Sequence, residues 1–351
     1  MEKLSSKDHY FRIYRKTMDN FICLIAHWEL TYNCNLKCRH CYVTRNGKRQ
    51  EFSLTKAKGV LDELSQLGCL YLVFSGGEIL TRDDFFDMAS YARSQGFALR
   101  LMTNATLIDE TVADKIASLY PLSVETSIYA AHKDLHDTIT GTKGSFHRTI
   151  EAAELLRERK VKVLLKFLIM RDNKEEFPLV KSLAKAMGAD FLFDFCLVKR
   201  NDGSASPLKY RLNRDEIKDF LVKNHISPTR KDDSEEALLC TAGLNNIFIT
   251  PYLDVYPCIG LKEKAGNLWN DNLKDIWWST KLHSIRNIKL SDLHTCRRCD
   301  VIQFCDRCTG TALSEDGDMF GPSRFDCTVA QLVRELYTKR KEAGAYETQE
   351  R

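Results

Sequence analysis

Between residues 21 and about 200 the chain alternates short apolar runs with longer stretches whose apolar positions recur at helical spacing. The short runs fall at 25–31, 70–75, 98–103, 122–128, 162–169 and 191–196, and their β-branched and aromatic content predicts strands. Between them lie 54–67, 84–95, 108–118, 146–158 and 177–187, which the pattern predicts to be helices. Ser53 or Thr55 is placed to cap the first helix, and Gly68, Gly96 and Gly188 stand where helices should stop. Strand–helix units in succession call for a parallel sheet with right-handed crossovers, an α/β fold.

The pattern divides the rest of the chain. Residues 1–20 are polar and read as a loosely ordered N-terminal arm, and 21–200 form the α/β unit. Residues 201–239 read as a bridge. It holds a loop, Asn201-Asp-Gly-Ser-Ala-Ser-Pro207, a helix at 213–224 capped by Asn213, and a charge run from Lys231 to Glu236. Residues 240–327 form a cysteine-rich unit, with a hairpin around 251–254 that presents Cys258 at its exit. Residues 328–351 are a terminal amphipathic helix, with Val329, Leu332, Val333 and Leu336 inward, and a tail expected to fray from Gly344.

Composition narrows the class. Lys+Arg of 52 against Asp+Glu of 48 leaves +4, too mild to argue for nucleic acid or a membrane surface. No apolar run reaches membrane-spanning length, and the first residues carry no secretory signal. A reducing, cytoplasmic location follows, in which the 13 cysteines read as metal ligands rather than disulfides. Ten of them fall at 34–41 and 240–327; Cys23, Cys69 and Cys196 sit in apolar surroundings and read as small buried hydrophobes.

The first group, Cys34-Asn-Leu-Lys-Cys38-Arg-His-Cys41, directly follows the first strand. One loop can wrap three thiolates so spaced round an iron–sulfur cluster and leave a fourth iron open. Zinc is the rival reading, although zinc knuckles usually set their first cysteines two apart and the second pair far downstream. In the second group, Cys240, Cys258, Cys296, Cys299, Cys305, Cys308 and Cys327 are nearly enough for two four-coordinate centres; two zinc ribbons are the alternative.

A Cx3Cx2C run after the first strand, with His40 before its last cysteine, resembles the radical S-adenosylmethionine (SAM) superfamily. The resemblance implies a partial (β/α)6 barrel, with a [4Fe–4S] cluster on Cys34, Cys38 and Cys41 whose open iron binds SAM. An electron from the cluster then cleaves SAM to methionine and a 5′-deoxyadenosyl radical. Gly76, Gly77 and Glu78 after the second strand match the family's motif for the SAM amino group. Thr103 and Asn104 ending the third strand, and Glu125-Thr126-Ser127 ending the fourth, resemble ribose and methionine contacts. Many relatives carry an arginine where this chain has Thr140, in His136-Asp-Thr-Ile-Thr140-Gly-Thr-Lys143-Gly-Ser-Phe146. Lys143 or Lys166 is expected to supply that charge to the SAM carboxylate, and Ser145 to cap the following helix.

The second cysteine group resembles the SPASM domain, a small C-terminal extension with two auxiliary [4Fe–4S] clusters. The resemblance assigns Cys240, Cys258 and Cys308 to one, and Cys296, Cys299, Cys305 and Cys327 to the other. Leu253 stands where glycine is usual, Cys305 and Cys308 are one residue closer than usual, and Asp232 to Glu235 replace an eighth cysteine. The first auxiliary cluster would then have an open iron or an oxygen ligand. The segment 125–146 looks most like the peptide-modifying branch, which implies cross-linking, epimerisation or precursor modification of a peptide. Its expected partners are a separate leader-binding protein and an electron donor such as flavodoxin or ferredoxin. The alternatives are a tetrapyrrole or haem-synthesis enzyme, a sulfatase-type maturase, and a zinc-binding structural protein. Asp194, Tyr129 and Lys166 are the acid–base candidates.

Overall fold

The computed structural model describes residues 6–44, 49–226 and 240–342. The described chain runs α1 (Ser6–Asp19), β1 (Ile25–Thr31), α2 (Leu54–Gln66), β2 (Tyr71–Gly76), α3 (Phe85–Ser94), β3 (Ala98–Thr103), α4 (Glu110–Ser118) and β4 (Ser123–Ser127). Next come α5 (Lys133–Thr140), α6 (Ser145–Glu158), β5 (Val163–Leu168), α7 (Phe177–Met187), β6 (Asp190–Asp194) and α8 (Arg214–Lys223). Then follow β7 (Asn246–Ile249), β8 (Asp254–Tyr256), β9 (Gly266–Asn267), α9 (Leu273–Trp277), α10 (Thr280–Arg286) and a C-terminal helix, Arg324–Glu342.

The strands form one sheet in the order β6-β5-β4-β3-β2-β1-β7-β8-β9, with β1 to β6 all parallel. That is the expected partial barrel. Alternation along each strand sorts its side chains to two faces. Trp28, Leu30, Leu72, Phe74, Leu99 and Leu101 are fully buried in the core shared with the helices, where the Trp28 ring lies 4.8 Å from Phe52 and 6.3 Å from Phe74. His27, Ser75, Met102, Glu125 and Lys166, on the other face, line the barrel interior.

The helix signals acted as read. Ser53 accepts from the Lys56 amide, and Gly68, Gly96 and Gly188 end their helices at positive φ. Asn213 forms a full capping box with Glu216. Four expectations change. Residues 6–19 are helical rather than loose, and the Thr17 hydroxyl accepts from buried Asn245 at 3.0 Å, tying α1 to the start of β7. Helix α5 arises at Lys133–Thr140, where no element was predicted. Ser145 is the first residue of α6 and not its cap; it follows Gly144 and donates to Asp137, whose carboxylate also receives the Phe146 amide at 2.9 Å. The hairpin expected in the cysteine-rich unit exists, but β7 runs parallel to β1, Ile25 opposite Asn246 and Trp28 opposite Ile249, so it extends the barrel sheet. The charge run 231–236, the residues 232–235 that replace an eighth cysteine and the tail from 344 lie outside the described residues.

Candidate functional site

The loop after β1 is held against β2 by backbone contact. Gly77 donates to the Thr31 carbonyl at 2.7 Å and Glu78 to that of Asn33 at 2.8 Å. A Cβ on Gly76 would meet Thr31 O at 2.3 Å, and one on Gly77 would meet Asn33 O at 2.2 Å, so neither position admits a side chain. The glycines therefore seat the cysteine loop as well as bordering the space beside it, and the Gly77 N–H is already committed.

Cys34, Cys38 and Cys41 all face one cavity of about 810 Å³, together with His40, Gly76, Gly77, Thr103, Asn104 and Ser127. Thr126 and Lys143 do not line it, and neither does Glu78. Its carboxylate is fully buried and accepts from the Leu80 amide at 3.0 Å, the Thr103 hydroxyl at 2.7 Å and the Asn104 amide at 2.7 Å. It fastens the β2 turn to the end of β3 rather than reaching into the cavity. Burial pushes its carboxyl above the usual range, against the pull of those donors.

The three thiols suit a cationic cluster. The Leu36 amide points at the Cys34 sulfur at 3.4 Å, and the Asn104 side-chain amide approaches it at 3.7 Å. Such N–H donors favour a thiolate. Burial, with Cys41 and Cys34 beside it, pushes the Cys38 thiol up to about 12, a cost that a bound metal cation would reverse. The His40 ring stands 4.7 Å from Tyr129, and burial lowers its pKa to about 4, so it is neutral near pH 7.

Deeper in the barrel, Glu125 is held by Lys166 at 2.5 Å and by Arg100. His27, neutral because burial and Lys166 lower its pKa to about 4, is 2.5 Å from the Ser75 hydroxyl. Tyr129, Lys166 and Asp194 all line the cavity. Cys23 and Cys69 are buried as expected, but Cys196 lines the cavity. Leu192, Arg200 and Ile259 also line it and were missed. For His27, Met102 and Leu192 the signal was present in strand alternation; the loop residue Arg200 and Ile259 of the C-terminal unit carried none.

Several of the later cysteines lie near one another. The sulfurs of Cys258 and Cys308 flank Gly260, 3.9 and 3.8 Å from where its Cβ would be, and Cys240 lies within electrostatic range of Cys308. Amides again point at sulfur, Ala242 to Cys240 at 3.3 Å and Leu261 to Cys258 at 3.2 Å. Cys327 feels Cys296 and Cys299, and Cys305 feels Cys327 and Cys296. Leu253 holds the left-handed conformation at φ 61°, the geometry for which glycine would be usual, with its side chain fully buried. All 13 cysteines are free thiols.

A family model described as the radical SAM superfamily matches residues 28–183, and one described as an iron–sulfur cluster-binding domain, SPASM, matches 240–300. Among curated proteins the chain is 29% identical to an AdoMet-dependent heme synthase of Methanosarcina barkeri, over 86% of this chain and 95% of that one. It is 28% identical to the mycofactocin maturase MftC of Mycolicibacterium smegmatis, over 86% and 80%. In fold it is similar to Streptococcus suis SuiB bound to its precursor peptide SuiA, with a TM-score of 0.68, 16% identity and coverage of 93% and 82%. Native anSMEcpe with bound AdoMet superposes at 0.67, with 19% identity and coverage of 92% and 98%.

Proposed function

Because this chain belongs to the radical SAM superfamily and carries a SPASM domain, we propose that it is a maturase that abstracts hydrogen from a peptide and thereby cross-links or otherwise modifies it. Cys34, Cys38 and Cys41 hold the first [4Fe–4S] cluster. Cys240, Cys258 and Cys308 hold one auxiliary cluster, and Cys296, Cys299, Cys305 and Cys327 the other. When bound, the first cluster supplies the electron that splits SAM into methionine and a 5′-deoxyadenosyl radical. The protein's own part is positional. Leu36 and Asn104 steady the Cys34 sulfur, Thr103, Asn104 and Ser127 offer polar contacts to the nucleoside, and the depth of the barrel keeps water from a reactive carbon centre.

The observation that carries the peptide reading is β6. Among the described residues it is one of the two edges of the sheet, and its Leu192, Phe193 and Asp194 line the same cavity as the three cysteines. An edge strand offers a row of backbone groups on which an extended chain can be laid and its side chains presented. The peptide bound by SuiB and the maturase function named for MftC support the same reading. A flavodoxin- or ferredoxin-type protein supplies the electron, and a separate protein holds any leader. A tetrapyrrole substrate is the second reading. It is favoured by the similarity to the heme synthase, and by Lys37 and Arg200 at the cavity, which could meet propionates.

The test starts from anaerobically reconstituted protein with SAM and dithionite. Release of 5′-deoxyadenosine by the wild type, its loss in Cys34→Ala, and iron and sulfide matching three cubane clusters are expected. A colourless zinc protein, or equal release by Cys34→Ala, defeats the enzyme reading. Candidate peptides and an iron porphyrin are then offered in parallel. Deuterium transfer from a labelled peptide into 5′-deoxyadenosine supports the maturase; a Soret-band shift with turnover of the porphyrin alone supports the second reading.

A further inference from the structure

SAM carries a carboxylate, and the cations expected to meet it are elsewhere. Thr140 is fully buried, with its hydroxyl 2.7 Å from that of Ser145. Lys143 is exposed and is not among the cavity-lining residues. Lys166 lines the cavity, but its ammonium is engaged by Glu125 at 2.5 Å, deep in the barrel. Lys37 lies at the rim and is exposed to solvent.

Arg200 is differently placed. It follows β6 in a turn where its amide donates to Ser204 O at 2.9 Å and its carbonyl accepts from Gly203 at 2.9 Å. The next residue, Asn201, donates to the carbonyl of Tyr42 at 2.8 Å, which pins this turn to the cysteine loop one residue beyond Cys41. The Arg200 side chain lines the cavity, and its buried Nε has no hydrogen-bond partner among the described residues. A planar guanidinium with an unspent donor at a cavity wall is suited to a carboxylate.

We propose that Arg200, presented from the loop after β6, binds the methionine carboxylate of SAM in place of the absent cation at position 140. The pinning to Tyr42 puts it on the cysteine side of the cavity, where the amino-acid end of SAM must lie if an open iron is to chelate it. The assignment rests on the functional reading above and gives the carboxylate a residue of its own.

The experiment is a two-ligand cycle on the cluster-loaded full chain. SAM and decarboxylated SAM are titrated by equilibrium dialysis into wild type, Arg200→Gln and Arg200→Lys, with iron counted in each sample. Arg200→Gln is expected to weaken SAM by about ten- to a hundredfold, the range of a lost charge-assisted bond, while decarboxylated SAM changes by less than about threefold. Arg200→Lys should recover part of the loss, since it keeps the charge without the fork. Because the coupling compares two ligands on one sample, incomplete cluster loading cancels. Equal weakening of both ligands, or no change in SAM with loss of peptide or porphyrin affinity, overturns the assignment. A wild type that binds neither nucleotide brings down the functional reading itself, a result distinct from failure of the cycle.

Discussion

The carboxylate of Glu78 accepts the backbone amide of Asn104 at 2.7 Å, joining the turn after β2 to the end of β3. Leu80 and Thr103 donate to the other oxygen. Glu78→Gln replaces an all-acceptor group by one whose NH2 must face a donor. It should destabilise the fold by about 2–3 kcal/mol, measured by urea unfolding, with SAM affinity falling only as far as the loop loosens. A large loss of SAM affinity at unchanged stability would mean that Glu78 touches the ligand.

Gly77 carries the closest approach in the site. Gly77→Ala places a methyl carbon 2.2 Å from Asn33 O, which is possible only if the cysteine loop moves away. The expected result is a folded protein, by circular dichroism, that loses the iron of its first cluster while keeping auxiliary iron. Retention of all iron would mean that the loop can be displaced without consequence.

Leu253 separates backbone strain from burial. Leu253→Ala keeps a non-glycine residue at φ 61° and removes a buried side chain, at a cost of about 2–5 kcal/mol. Leu253→Gly loses the same packing but relieves about 1 kcal/mol of left-handed strain. The glycine variant should therefore be the more stable of the two, reversing the usual order of alanine over glycine. Thermal unfolding of both checks this.

Burial would raise the Glu125 carboxyl, but Lys166 and Arg100 outweigh it and hold its pKa below the ordinary 4.5. The stabilisation from this depressed pKa is fully present above pH 4.5 and is lost as pH falls through the lower folded-state value. Lys166→Met should cost about 1–3 kcal/mol at pH 7, since Arg100 remains and Lys166 is partly exposed. The gap to wild type should narrow as the medium is acidified below that point. Urea midpoints between pH 3 and 7 measure it, and a gap independent of pH would show that the ion pair is not its source.

Much of the barrel was readable because each local choice agrees with the global one. The 98–103 run, the Ser53 cap and the stop at Gly188 are fixed by period and by residue type within a few positions, and no distant contact overrules them. Residues 6–19 failed for the opposite reason. Their polarity argues for disorder, and their helix is tied down by a bond from Asn245, more than two hundred positions away.

The division of the later cysteines into two sets came from the family resemblance alone; the cysteine spacing itself identified only candidate thiol ligands in two groups, because ligand chemistry depends on residue type and short separations within a loop. It could not place Glu78 behind the cavity wall, bring Cys196 to the cavity or set Arg200 beside the cysteine loop. Those outcomes depend on which strand ends meet when a parallel sheet curls, and on turns pinned by backbone bonds between segments far apart in the chain. Side-chain identity determined what chemistry this protein can hold; the closure of the barrel decided which side chains face it.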